Sequence, residues 1–277
     1  MWCGELVRRA VASSALLTAA LLASFVPAVS AWPAETMTAV GRDARRLLPR
    51  SLARLLGERE AQIEQEVARF PPALTRALAE DLPSGRLRAE TVAALSAEVD
   101  GAVALFHERR VSEGLLRLGG LLRISADLSD PVLAVGPEGW PPGLAREYYA
   151  LFAANFDKMP VVLDDPKALE LPRQQLPGLW QSLIERGRAQ VPTIRSELFR
   201  GGRVVSHAQL DYRSPAWAMA SLAYSRAVTA TAATWLAAWR DARGDTTRMA
   251  RPRALAPRDA TDASPADDRR SPRPEVP

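Results

Sequence analysis

Leu118-Gly-Gly-Leu-Leu-Arg-Ile-Ser-Ala-Asp-Leu-Ser-Asp-Pro131 is the stretch whose reading decides the fold. Its leucines and Ile124 are too densely spaced for a helix with one wet face, because a surface helix confines its apolar side chains to a stripe. With Leu115 and Leu116 just upstream, the pattern predicts one buried helix over residues 113–128, at the centre of a bundle. Arg123 and Asp127 lie four residues apart on that helix, a spacing that brings opposite charges together on one face. Pro131 closes the run, since proline lacks an amide hydrogen and disfavours helix at the residue before it.

The chain on either side also reads as helix. Residues 36–56 are rich in Ala, Leu and Arg, with Pro49 breaking or kinking them. Residues 58–70 place Ile63 and Val67 on one face, and Phe70-Pro71-Pro72 stops them before a short turn or helix over 73–80. In residues 87–110, Val92, Leu95, Val99, Val103 and Phe106 form a core stripe. Ser112 stands where it could cap the next helix, although Glu113 follows too soon for a capping box. Residues 131–142 read as loop, 145–156 as helix and 159–177 as a Pro-rich connector. Residues 179–199 read as helix with a bend at Pro192, ended by Gly201-Gly202. Ser214 caps a last helix over 215–240, with Pro215 at its first position. Trp217, Tyr224, Trp235 and Trp239 lie along it as core, as groove lining or as a membrane-facing row. No strand-like alternation is seen, and residues 244–277, polar and Pro-rich, are expected to be disordered.

The first 31 residues read differently. Arg8 and Arg9 precede an apolar segment from Ala10 to Val26, and Val29-Ser30-Ala31 fits signal-peptide cleavage, which would leave Trp32 first. The alternative is an uncleaved anchor, because the apolar segment approaches the ~20 residues of a spanning helix. Export to the periplasm or medium is the expected localisation. Cys3 is the single cysteine, so the remainder can form no disulfide, thiol nucleophile or Cys-based metal site. The net charge of +4 is spread along the chain. Nucleic-acid binders concentrate basic charge on one face, so the composition argues against such a partner. Nucleophile-elbow, P-loop, dinucleotide-glycine and His-Glu-x-x-His patterns are all missing. Asp164-Asp165 and Asp267-Asp268 lack the ligand spacing of a calcium loop. His107, at a helix end, and His207, in a Gly-rich connector, read as surface residues.

Residues 118–131 resemble the central helix of the zinc-dependent phospholipase C and single-strand nuclease superfamily, where the frame is L-G-x-x-x-H-x-x-x-D-x-x-x-P-x-H. The leucine-glycine start, Asp127 and Pro131 are kept, whereas Arg123 and Leu133 stand at the two His positions. Trp-Pro-Ala-Glu from Trp32 is similar to the Trp-Ser-Ala-Glu start of the bacterial phospholipases, whose first residue binds metal through its amine and carbonyl. The resemblance covers residues 32–242. It implies an all-α multi-helix bundle whose metal positions fall at Trp32, Met37, Pro72, Arg123, Asp127, Leu133, Ala145 and Tyr149.

In that frame, a His and an Asp four residues apart project from one face and can share a metal. A guanidinium has no free lone pair and a leucine has none at all. Of these positions only Trp32 and Asp127 retain metal-binding groups, with Glu147 an acid close to register. A trinuclear site takes about nine His and carboxylate groups, and the chain has two histidines. The expectation is an exported relative with no catalytic residue and no cofactor, acting as a binding or scaffolding module. The alternatives are a phosphodiester hydrolase with a reduced zinc site of Trp32, Asp127 and Glu147, and a purely structural bundle. The resemblance also makes a phospholipid or membrane surface a partner compatible with this reading. The Arg123–Asp127 spacing allows either an ion pair filling the vacated position or a residual metal site.

Overall fold

The computed structural model describes residues 32–163 and 165–247, and the backbone of 254–255. The chain divides into two units between Ala31 and Trp32, and residues 1–31, which the sequence reads as a signal peptide or an anchor, lie outside the described residues. The second unit is mostly helical, as the apolar periodicity predicts. No helix of the described residues is long and apolar enough to cross a membrane.

The first predicted helix is broken at Pro49 into α1 (Ala34–Arg45) and α2 (Arg50–Gly57). α3 (Glu60–Ala68) and α4 (Pro72–Asp81) flank the Phe70-Pro71 break. α5 (Ala89–His107) buries Leu95, Val99 and Val103. Its end is a Schellman motif, with Arg109 in the left-handed region at φ 62° and Arg110 N–H donating to Leu105 O at 2.9 Å.

The decisive stretch departs from expectation. It is two helices, α6 (Val111–Gly120) and α7 (Leu122–Ser129), where the periodicity predicts one. The glycine pair supplies the physical reason. Gly119 lies so close to α3 that a Cβ there would come within 2.5 Å of the Ile63 side chain. At the break the carbonyl of Leu118 accepts from Leu121 N–H at 3.2 Å and from the indole N–H of Trp235 at 2.6 Å. Ser112 does not cap α6; its hydroxyl accepts from Arg59. Glu113 and Arg117 of α6 are exposed, while every residue of α7 is buried. The buried centre is therefore α7, not the whole predicted helix.

α8 (Leu144–Asn155) follows a loop containing short 3-10 turns. α9 (Leu176–Leu198) runs on past Pro192. Gly201-Gly202 does not stop that helix. The helix ends at Leu198, and the glycines, at φ 58° and 76°, turn a hairpin pairing β2 (Phe199–Arg200) with β3 (Arg203–Val204). Two successive left-handed residues give the primed turn whose twist matches a two-residue hairpin loop.

α10 (Pro215–Asp241) is the axis of the bundle and packs on α1, α7 and α9. Ser214 caps it by accepting from Trp217 N–H at 3.2 Å, as its position predicts. Its alanines let neighbouring helices approach, and nearly all of residues 220–239 are buried. Tyr224, Trp235 and Trp239 are core residues, not a membrane-facing row. A second Schellman motif ends α10, with Arg243 at φ 56° and Gly244 N–H donating to Trp239 O at 2.8 Å.

The first residues beyond α10 return to the bundle. Trp239 and Ser51 both donate to the carbonyl of Asp245. Farther on, β4 (Ala254–Leu255) pairs antiparallel with β1 (Val161–Val162). Residues 248–253 and 256–277 lie outside the described residues, as do Asp164 and the Asp267-Asp268 pair.

Gly119→Ala is expected to lower stability by about 1–2 kcal/mol, because overpacking against Ile63 exceeds the gain in helix propensity. Gly178→Ala in α9, where a Cβ meets nothing within 4 Å, is expected to raise it by up to about 1 kcal/mol. Urea unfolding of the two variants checks both signs.

Candidate functional site

The site forms where α7 runs into the loop before α8. Arg123 donates from Nε to Asp127 Oδ2 at 2.7 Å, and both side chains are buried. This is the pair that the four-residue spacing predicts. The other carboxylate oxygen of Asp127, Oδ1, makes no hydrogen bond. Burial pushes the Asp127 carboxyl up to about 6, against the opposing pull of the Arg123 charge.

A second carboxylate, Asp130, lies one turn on and is fully buried. Its Oδ1 accepts from Val132 N–H at 2.7 Å, the side-chain turn that suits an Asp beginning a loop. Its Oδ2 accepts from Tyr149 of α8 at 2.9 Å. Desolvation outweighs these donors and raises the Asp130 carboxyl to about 7, with the negative charge of Asp127 adding to the rise. Burial and Asp130 together raise the Tyr149 phenol strongly, and the neighbouring Tyr148 phenol also rises.

Aromatic rings close the site. Trp32 is 1% exposed, its ring 4.7 Å from Phe152 and stacked at 6.4 Å on Tyr224. Tyr148 meets Phe152 edge-on at 5.1 Å. Tyr224 in turn donates to Asp43 of α1 at 2.7 Å, a third buried carboxylate that also pairs with Arg46 at 3.2 Å.

Of the positions implied by the resemblance, Trp32, Arg123, Asp127 and Tyr149 lie on this cluster. Met37 is buried on α1, Leu133 sits half-buried in a 3-10 turn, and Ala145 is half-buried on α8. Pro72 opens α4 at the surface. None of these four carries the imidazole or carboxylate that a zinc site of this kind needs. Glu147 does not join the cluster. It accepts from the backbone N–H of His207 at 3.0 Å and lies 2.9 Å from that ring's Nδ1, and these contacts, the backbone one foremost, lower its carboxyl. His207 is therefore a half-buried partner of α8 and not a simple surface residue, whereas His107 is exposed at the end of α5 as expected.

The donor set does not fit the zinc site that the resemblance implies. Arg123 places a positive charge on the carboxylate that would bind the metal, and the His positions carry no imidazole. Among the described residues, no three His, Cys, Asp or Glu side chains are grouped to hold a metal. The structure instead builds a buried Arg–Asp pair beside a hydrogen-bonded Asp. Such an arrangement can hold a proton and lock the geometry of helix against loop.

Sequence reasoning missed Asp130, although an acid immediately before Pro131 marks a turn. It also missed the Glu147–His207 contact, whose partners are 60 residues apart with no local signal. No family model, curated protein or solved structure matches the chain.

In the unfolded chain both carboxyls ionise near their ordinary value of 3.8, whereas in the fold they do so near 6 and 7. Between roughly pH 4 and 7 the folded state therefore keeps protons that the unfolded state has lost. Stability is expected to fall as pH rises through that window and to level off above it. Asp130→Asn should flatten that dependence and raise stability at pH 8 by on the order of 2 kcal/mol. Denaturation midpoints measured from pH 4 to 8 in both proteins test this.

Proposed function

We propose that the bundle is a non-catalytic binding or scaffolding module of the zinc phospholipase C and nuclease type, with an ion pair filling the vacated metal position. The observation that carries the reading is the 2.7 Å contact of Arg123 with Asp127 in the buried core. The guanidinium meets the carboxylate from the residue position at which the resemblance implies a metal-binding imidazole. It supplies the positive charge that a metal would otherwise provide. Such a pair fixes geometry, and breaking it by removing one partner leaves an uncompensated buried charge, at a cost of about 3–5 kcal/mol. The sequence supports the same reading, because histidine is scarce along the whole chain.

A working phosphodiester hydrolase on a reduced metal site is the competing reading, and the gathering of Asp127, Asp130 and Tyr149 near Trp32 favours it. It would have to use Asp130 in place of Glu147, whose carboxylate is held by His207.

Elemental analysis of the purified protein separates the two. The expected result is less than stoichiometric zinc and no hydrolysis of phosphatidylcholine or single-stranded DNA, even with zinc added. Stoichiometric zinc together with hydrolysis of either substrate sinks the proposal. Arg123→His is expected to gain no zinc, because Met37, Pro72, Leu133 and Ala145 still contribute no ligand.

A further inference from the structure

The segment between α9 and α10 leaves the bundle and carries an unusual surface. Among the described residues four large apolar side chains are exposed, namely Val111, Val162, Phe199 and Tyr212. Two of the four fall in this one excursion, and Tyr212 is 65% exposed, the highest of the set. Both strands of its hairpin carry an arginine at the tip. Arg200 and Arg203 face each other across the glycine turn. Like charges directly opposite on a two-strand ladder oppose pairing, so this placement works against the hairpin's own stability. Arg200 is held by Glu197 at 2.6 Å, while Arg203 and Arg213 make no ion pair among the described residues. Phe199 pairs across the ladder with half-buried Val204, giving the hairpin one apolar side.

The excursion is fastened to the bundle. Val205 N–H donates to Leu198 O at 2.8 Å, and the Glu147–His207 contact ties the following turn to α8. Asp211 accepts from Arg213 N–H at 2.9 Å, which shapes the turn just before Ser214 caps α10. The aromatic and guanidinium groups are thus presented on a braced loop.

We infer that the surface of residues 199–213 docks on an anionic lipid bilayer, with Arg203 and Arg213 on headgroup phosphates and Phe199 and Tyr212 at the headgroup boundary. The Tyr212 ring, with an apolar body and a polar tip, favours that depth, the Phe199 ring adds apolar area beside it, and guanidinium groups near an anionic surface add attraction. The alternative occupant, a single-stranded nucleic acid, needs ring faces open for base stacking. The Tyr212 ring already has the Arg213 guanidinium over it, its carbon 5.3 Å from the ring centre and its Nε donating to the Tyr212 hydroxyl at 3.1 Å. The inference does not depend on whether the Arg123–Asp127 core is catalytic, and its failure leaves that reading untouched.

Hydrogen exchange of the full chain, read by peptide mass spectrometry, gives a signal local to residues 199–213. It is therefore separate from any contact made by the apolar N-terminal segment. Vesicles of phosphatidylcholine mixed with phosphatidylglycerol are expected to slow exchange there, and vesicles of phosphatidylcholine alone are not. Replacing both Arg203 and Arg213 by Ala should raise the lipid concentration needed for half-protection by about 25-fold, roughly fivefold for each charge removed. Tyr212→Ser, at a position 65% exposed, should weaken protection without changing exchange outside residues 199–213 in the free protein. Equal protection on both vesicle types, no protection on either, or protection by a single-stranded oligonucleotide but not by lipid overturns the inference.

Discussion

Desolvation of α7 is the constraint on which the rest of the molecule depends. Every residue of that short helix is buried, including Arg123, Asp127 and two serines. A charge stripped of water must find a partner inside the protein or neutralise, and each neighbour of α7 can be understood as an answer to that demand. Arg123 answers Asp127, while Tyr149 and Val132 answer Asp130. The aromatic wall of Trp32, Tyr148 and Phe152 then excludes the solvent that would weaken these contacts. α10, lined with alanine, comes close enough to complete the enclosure.

The helical class was legible because apolar period and proline placement are local signals. The break at Pro49, the cap at Ser214 and the core stripe of α5 all follow from residues within one or two turns of each other. The Arg123–Asp127 pair was legible for the same reason. The division of α6 from α7 was not, since leucines continue straight through it. What breaks the helix is Ile63 of α3 pressing on Gly119 and Trp235 of α10 claiming the Leu118 carbonyl. Both partners are remote in sequence.

The candidate site was half legible. Asp127 and Arg123 could be paired from spacing, and the family resemblance directed attention to Trp32 and Tyr149. Asp130 was hidden in plain view as a spacer between Asp127 and Pro131, because its importance comes from burial and not from residue type. Glu147 looked like a spare ligand until the chain brought His207 back to it across the bundle. The Schellman ends at Arg109 and Arg243 were also invisible, because a left-handed position normally advertises itself with glycine.

The glycine break has one more consequence, in the way the molecule opens. A continuous helix transmits unfolding along its hydrogen bonds, whereas an interrupted one sets a border between cooperative units. α6 lies on the wet side of that border, packed with α3 and α5 and presenting Glu113 and Arg117 to solvent. α7 lies on the dry side, gripped by α10 and α9. The outer layer can therefore breathe while Asp127 and Asp130 stay sealed, so the interior charges are insulated from motions at the surface beside them.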